Sequence, residues 1–340
     1  VGLTRTRGIP TADLEWRLES GLGWACAGQA LTPFEDIVDN AWGPMDEARQ
    51  IPDPDTLFTI PARDGHPAIS AVLCDSKLGP GEDWDCCART FLRQALDDLH
   101  ARTGLTLRVA YEHEFSLAGE GYRPETGFSF AAARVVQPLL LDLHDSLTAA
   151  GVRVETVEPE YGLAQYEVSC APEAALRAAD GAVVARETVR EVARRHGVRA
   201  TFTPKPELDA VGNGAHTHMS FASASGVNVT YDRAGPLGLS TVAAQFAAGI
   251  LAHVDALVAL TAPAPIDPAV MPPAERALAG LRRLPTTLGH ALDAVEGVAV
   301  ARGWFSERRL STSLANKRWE VATAAEREPA EVFARYRTAY

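Results

Sequence analysis

The chain has 340 residues, of which 46% are hydrophobic and 22% charged, and its formal net charge is -12. This length favours two domains over one. The acidic balance argues against nucleic acid or an anionic membrane as a partner, because either would favour a basic surface. No apolar run typical of a signal peptide follows the first residues, and the most apolar stretch, 241–262, carries Gln245, His253 and Asp255, which suit a core helix. Five cysteines without a CxxC spacing predict free thiols. We therefore expect a cytoplasmic protein.

The first part of the chain is divided by turn residues into short segments, among them the strand-like runs 56–60 and 68–74. A helical pattern follows over residues 90–99 and ends at Gly104. The sequence therefore predicts an N-terminal sheet domain over residues 1–88 and a larger domain over residues 89–340.

A long strand comes next, in which apolar and polar side chains alternate between residues 105 and 117. Side chains at positions i and i+2 of a strand share a face. Glu112 and Glu114 therefore lie side by side on the polar face, and His113 lies in the apolar row. Two carboxylates held this close repel each other unless a cation neutralises them. The pattern favours a metal site.

Two further segments carry polar side chains at the same spacing. In the first, Glu160 lies in a turn before a strand that places Gln165, Glu167 and Ser169 on one face. A long helix then runs from Pro172 to Arg195, and Gly197 ends it.

The second segment is a strand that follows a glycine-rich turn at Gly212 and places His216, His218 and Ser220 on one face. Taken alone, a Glu-x-Glu or His-x-His strand is more typical of a solvated sheet face than of a ligand set. Because all the predicted strands have apolar opposite faces, they belong to one core, and together they indicate a divalent-metal site.

In this order the blocks resemble the glutamine synthetase family of ATP-dependent carboxylate–amine ligases, and the similarity runs through most of the chain. The tail from Arg282 to Tyr336 is also similar to the family's C-terminal helices. The blocks that carry the resemblance are Asp46, residues 52–57, residues 111–115, Glu160 to Glu167, Ala179-Asp180, residues 199–206 and residues 212–220.

The resemblance implies ATP and two divalent cations, Mg²⁺ or Mn²⁺, as cofactors. The first ion would be held by Glu114, Glu160 and Glu167, and the second by Glu112 and His216. By the same resemblance, His218 and Ser220 lie on the nucleotide side, Gly212 meets the amino-acid substrate, and Asp46 acts in catalysis at the amine-binding side of a neighbouring subunit.

The resemblance also implies a fold and a reaction. The fold would be of the α+β class, with an N-terminal β-grasp-like domain and a catalytic domain built on a curved antiparallel sheet with flanking helices. The chain would assemble into a ring-type homo-oligomer. It would join a glutamate-like carboxylate to ammonia or an organic amine through an acyl phosphate, and the residues 161–165 and the tail are closer to the γ-glutamyl-amine ligase branch.

One departure from the family supports an alternative. After residues 260–263 the family continues into a segment that carries a flap glutamate, arginines for the phosphate and the substrate, and a Glu-x-Arg strand. Here residues 264–268 lead almost directly into the C-terminal helices. Groups of that kind contribute several kcal/mol of transition-state stabilisation. The alternative is a catalytically impaired relative with a regulatory or assembly role.

Overall fold

The structure is a computed structural model that describes residues 3–207, 210–261 and 284–339. Contacts between residues divide the chain into two units, 1–26 with 45–230 and 333–340, and 27–44 with 231–332. The strands are β1 Leu22–Ala25, β2 Glu47–Pro52, β3 Phe58–Ile60, β4 Ile69–Ala71, β5 Cys74–Gly79, β6 Glu82–Asp83, β7 Thr106–Ala118, β8 Val154–Pro159, β9 Gln165–Cys170, β10 Glu173–Ala174, β11 Arg199–Thr201 and β12 Ala215–Ala222. The helices are α1 Leu14–Ser20, α2 Ala88–Thr103, α3 Phe130–Val135, α4 Gln137–Ala149, α5 Ala175–Arg195, α6 Thr241–Ala252, α7 Val254–Thr261, α8 Leu288–Gly297, α9 Ala299–Arg302, α10 Glu307–Ala325 and α11 Pro329–Ala339.

The first unit is built around a six-stranded sheet whose centre is the 13-residue strand β7. Strands β9 and β10 pair with β7 on one side, and β12 and β11 pair with it on the other. Strand β8 lies outside β9. Every one of these pairs is antiparallel, so the predicted α+β class is confirmed.

One face of this sheet packs on helices and forms the main core. Phe115 and Leu117 of β7 and Val168 of β9 are almost fully buried there, together with Leu143 and Leu147 of α4. Burial of each such side chain stabilises the fold by roughly 1.5–3 kcal/mol. The alternation predicted for β7 therefore places its apolar row on the core, and His113 is buried in that row, as expected.

His113 remains uncharged in the core. Its ring lies edge-on to Phe202, with ring centroids 6.4 Å apart, and stacks on Tyr111 at 5.7 Å. Burial, with a smaller contribution from the positive charge of Arg186, lowers the pKa of His113 to about 4. A neutral imidazole is therefore compatible with the apolar row.

The N-terminal strands form a four-stranded antiparallel sheet in the order β1-β2-β5-β6 and a separate β3–β4 hairpin. The strand expected over residues 56–60 begins only at Phe58, because Pro54–Thr56 form a 3₁₀ turn in which the Asp53 side chain accepts a hydrogen bond from the Asp55 amide. The segment 68–74 was predicted as one strand and is instead divided between β4 and the start of β5.

A partly buried ionic cluster ties four separate segments of this unit together through Arg89 of α2. The Arg89 guanidinium donates to Asp180 at 2.8 and 2.9 Å, to Asp75 at 2.7 Å and to Asp53 at 2.8 Å. Its three aspartate partners hold the pKa of Arg89 above its usual value, although burial opposes them. Two family-like blocks of the sequence, 52–57 and 179–180, thus meet at one arginine.

The second unit is helical, and its core contains Leu292 and Val295 of α8, Ala256 and Ala259 of α7, and Leu310 of α10. The apolar stretch that begins at residue 241 is divided into α6 and α7, which meet at a bend of 79°. Among the described residues no single helix is long and apolar enough to cross a membrane, and only α6 and α7 taken together reach that length and hydropathy.

Candidate functional site

The polar face of the sheet brings most of the predicted site residues onto three neighbouring strands. Glu112 and Glu114 lie on β7 at the centre. Glu167 of β9 lies directly opposite Glu114, and Ser169 lies opposite Glu112. On the other side His216 of β12 lies opposite Glu112. The two-residue period thus brings side chains from distant parts of the sequence together.

The central carboxylates are paired with imidazoles across the strands. His216 Nε2 lies 3.0 Å from Glu114 Oε1, and His218 Nε2 lies 2.9 Å from Glu112 Oε1. Both contacts are diagonal, because His216 is opposite Glu112 and His218 is opposite Ala110. Each imidazole therefore contacts a carboxylate two residues along β7 from the residue opposite it.

Glu167 is the most deeply buried carboxylate of the face, at 6% exposed. The Ser169 hydroxyl donates to its Oε1 at 2.7 Å. Burial raises the pKa of Glu167 above its usual value, the Ser169 hydrogen bond lowers it, and the negative charges of Glu112, Glu160 and Glu114 raise it further. The carboxylates of Glu112, Glu114 and Glu160 are therefore near enough to repel that of Glu167, and a cation among them would relieve that repulsion.

Glu160 lies in the turn between β8 and β9, and its predicted role as a ligand stays a prediction. Its carboxylate accepts a hydrogen bond from the Tyr161 amide at 2.8 Å, and its own amide donates to the Gln165 carbonyl at 2.8 Å. Ala164 in the same turn has a positive φ of 62°, which is uncommon for a residue other than glycine. Backbone contacts thus fix the Glu160 turn at both ends.

Gly212 lies in the turn that precedes β12. A Cβ atom at this position would lie 2.6 Å from the Pro204 carbonyl oxygen, so a larger residue would displace the backbone. The Gly212 carbonyl accepts a hydrogen bond from the side-chain amide of Gln165 at 2.8 Å. The predicted nucleotide contact Ser220 lies four residues along β12 from His216, opposite Arg108.

The structure describes a single chain, so the predicted role of Asp46 at a neighbour's site stays a prediction. Asp46 is exposed at the residue before β2, and its carbonyl oxygen accepts a hydrogen bond from the Cys26 amide at 2.8 Å. The predicted gap in the family pattern at residues 264–268 lies outside the described residues.

The chemistry of the donor set fits Mg²⁺ or Mn²⁺, because hard cations prefer carboxylate oxygens and tolerate an imidazole. Burial is the main cause of the raised pKa of Glu167, and the negative charges of Glu112, Glu160 and Glu114 add to it, so a cation at this face would favour the ionised carboxylate. In the part of the chain that the structure describes, however, no three His, Cys, Asp or Glu side chains are already arranged around a common point. The carboxylate oxygens of the face already contact hydrogen-bond donors of the protein, and a bound cation would have to replace some of these donors. The ligand set stays a prediction.

The sequence predicted which residues lie on this face, but it did not predict the hydrogen bonds between them. Gln165 and Ser169 were expected on the face of Glu167, yet nothing in the sequence indicated that the Gln165 amide contacts Glu114 at 2.8 Å. The Gly214 amide likewise donates to Glu114 at 2.9 Å. The glycine-rich turn indicated a close approach of the backbone at this place, but not which side chain it would meet.

A comparison with known proteins identifies the family of this chain. Residues 1–84 match the model of the glutamine synthetase N-terminal domain, and residues 85–266 match that of the glutamine synthetase catalytic domain. The chain belongs to the glutamine synthetase family. The resemblance seen in the strand motifs is thereby confirmed, and so is the prediction of a glutamine synthetase-like α+β fold.

Individual relatives of this glutamine synthetase-family chain include amine ligases. It is 34% identical over 275 residues, 78% of its length, to a γ-glutamylpolyamine synthetase of Streptomyces coelicolor. It is 28% identical over 228 residues, 63% of its length, to a glutamate–isopropylamine ligase of a Pseudomonas species. These matches span 58% and 49% of the two relatives, so the chain covers about half the length of the curated relatives it matches.

A solved structure agrees along the whole chain. A crystal structure described as a novel glutamine synthase homolog superposes on this chain with a TM-score of 0.91 at 32% identity. The superposition covers 100% of this chain and 96% of the other one. The family fold therefore extends over both units of the chain.

Proposed function

We propose that this chain is an ATP-dependent ligase that joins the γ-carboxylate of glutamate to an amine, with an organic amine favoured over ammonia. The observation that carries this proposal is the three-strand face on which Glu167 of β9 lies opposite Glu114 of β7 and His216 of β12 lies opposite Glu112. The names of the two ligase relatives support an organic amine as the acceptor.

The reaction has two steps in this proposal. The glutamate γ-carboxylate attacks the γ-phosphorus of ATP, ADP leaves, and an acyl phosphate forms. The amine nitrogen then attacks the acyl carbon, phosphate leaves, and the nitrogen loses a proton. Mg²⁺ or Mn²⁺, held by Glu112, Glu114, Glu160, Glu167 and His216, would neutralise the charge of the transferring phosphoryl group.

The chain's own residues have separate roles in these steps. His218 and Ser220 bind on the nucleotide side of the face, and the backbone of the Gly212 turn meets the glutamate substrate. Asp46 of a neighbouring copy attracts the cationic amine and accepts its proton. This last role requires a homo-oligomer, for which a ring is our proposal.

A second candidate is a catalytically impaired relative with a regulatory or assembly role. It is favoured by one observation, the direct passage from residues 260–263 to the C-terminal helices where the family carries its arginines. Such a protein would retain the carboxylate face and bind Mg-ATP, but it would release little or no product.

The test is product formation. The purified protein is incubated with ATP, Mg²⁺ and glutamate together with ammonia, isopropylamine or a polyamine, and the γ-glutamyl amide is detected by mass spectrometry. We expect turnover in the range of roughly 1–10³ s⁻¹ with an organic amine. Glu114→Gln should abolish this turnover. The control is Glu120→Gln, which replaces an exposed carboxylate beyond the end of β7 and should leave turnover unchanged. Mg-ATP binding without any amide would contradict the ligase proposal and support the second candidate.

A further inference from the structure

The side chain of Gln165, the first residue of β9, joins the carboxylate face to the glycine-rich turn. It is 3% exposed, and its Nε2 lies 2.8 Å from Glu114 Oε2, 2.8 Å from the Gly212 carbonyl oxygen and 3.1 Å from Asn213 Oδ1. Its Oε1 accepts a hydrogen bond from the Gly162 amide at 2.9 Å. Because that contact needs an oxygen, it fixes the orientation of the amide group.

The amide has two hydrogens and three acceptors within reach. The Asn213 oxygen is the most distant of the three, and it also accepts from the Ser116 hydroxyl at 3.1 Å. The two shorter contacts therefore bridge Glu114 and Gly212. If the Glu114 carboxylate moves, the Gln165 side-chain amide moves with it, and the hydrogen bond that this amide donates to the Gly212 carbonyl changes.

The rest of the turn responds to the same carboxylate. Glu114 Oε2 also accepts from the Gly214 amide at 2.9 Å, and the Glu114 amide donates to the Gly214 carbonyl. Asn213 fixes the middle of the turn, since its Nδ2 donates to the Thr203 carbonyl at 2.9 Å. Glu114 thus contacts the turn directly through both its carboxylate and its backbone amide, and indirectly through Gln165.

We propose that Gln165 is a positioning residue that couples Glu114 to the Gly212 turn, so that binding of a divalent cation at Glu114 and binding of the carboxylate substrate at the turn strengthen each other. This inference rests on the proposed function for the identity of the substrate. The coupling itself depends only on the hydrogen bonds of Gln165 with Glu114 and Gly212.

The first measurement is the dissociation constant of glutamate, determined by calorimetry with and without saturating Mn²⁺. Coupling between two sites typically changes affinity by about 5–150-fold, and we expect a factor in this range for the wild type. Gln165→Glu has nearly the same shape but replaces the donating nitrogen with an oxygen. We expect its factor to fall to about 1, and the same for Gln165→Ala. Gln137→Glu, an exposed residue at the start of α4, is the control and should retain the wild-type factor.

The result separates positioning from packing. If Gln165 only filled space, the similarly shaped Gln165→Glu would couple as the wild type does, and that outcome would overturn the proposal. A glutamate affinity in the wild type that does not change with Mn²⁺ would overturn it as well.

The second measurement needs neither a variant nor the proposed substrate. Hydrogen exchange of the segment 210–216 is followed by mass spectrometry as Mn²⁺ is added. We expect slower exchange in this segment and no change in α4. A segment 210–216 that does not respond to bound Mn²⁺ would overturn the coupling. If the segment responds but no glutamate binds, the coupling stands and the proposed substrate is wrong.

Discussion

Replacement of Arg89 should show how strongly the ionic cluster stabilises the first unit. Arg89→Met keeps most of the side-chain stem but removes the guanidinium, which contacts Asp180, Asp75 and Asp53; the Arg89 side chain is 14% exposed. Three carboxylates that are 8%, 16% and 27% exposed then lose their common cation. Removal of one partner of a buried ion pair costs about 3–5 kcal/mol. We expect a loss of that size in the free energy of unfolding.

The matched control is Arg102→Met on the same helix. Its partner Asp98 lies 3.4 Å away, and the two side chains are 79% and 71% exposed. An exposed i,i+4 pair contributes only about 0.3–0.5 kcal/mol. Both variants are measured by urea denaturation at one protein concentration, with circular dichroism as the signal. A second change, Asp180→Asn, should recover part of the stability of Arg89→Met. If the two arginine variants differed by less than about 0.5 kcal/mol, the cluster would not be a major source of stability.

Three further changes test the core and the face. The pKa of His113 is lowered from 6.5 to about 4 in the folded state, so the wild type loses stability as the pH falls from 6.5 to 4. In His113→Phe this loss, up to about 3 kcal/mol in the free energy of unfolding, should be absent. Tyr166→Phe removes a hydroxyl that contacts the Tyr122 hydroxyl at 3.0 Å, and it should cost about 1–2 kcal/mol in thermal unfolding, whereas the exposed Tyr161→Phe should cost almost nothing. Glu167→Gln should stabilise the metal-free protein at about pH 8 and lose this advantage in acid, since the raised pKa of Glu167 means that its ionisation with rising pH weakens the fold.

Each of these has a result that would contradict it. An unchanged pH profile in His113→Phe would show that this imidazole is not kept neutral by burial. Equal losses in Tyr166→Phe and Tyr161→Phe would mean that the buried hydroxyl pair contributes nothing specific. A Glu167→Gln variant that is less stable than the wild type at high pH, with no metal present, would show that burial and the neighbouring carboxylates do not disfavour the charged form of Glu167.

The elements with a strong local pattern were predicted well from the sequence. The alternation of β7 follows from its own residues, and so does the end of α2 at Gly104, whose φ is +70°. Helix α5 ends as expected, with Gly197 at a φ of +71°. It begins at Ala175 rather than at Pro172, because Glu173 and Ala174 pair with β7. A tertiary contact thus overrides the local helix signal.

Contacts between distant segments could not be predicted in this way. The bridge from Gln165 to Gly212 joins residues 47 apart, and Arg89 contacts Asp180, which is 91 residues further along the chain. A single sequence gives the face on which each side chain lies, because the strand period is local. It does not give the distance at which two segments approach, which depends on packing of the whole sheet.

The most direct test of the central claim is a titration of the metal-free protein with Mn²⁺, followed by electron paramagnetic resonance of the free ion. The account predicts saturable binding that is lost or greatly weakened in Glu114→Gln and in Glu167→Gln, and unchanged in the exposed control Glu120→Gln. Binding that is absent in the wild type, or equal in all four proteins, would contradict a divalent-metal site on the face formed by β7, β9 and β12.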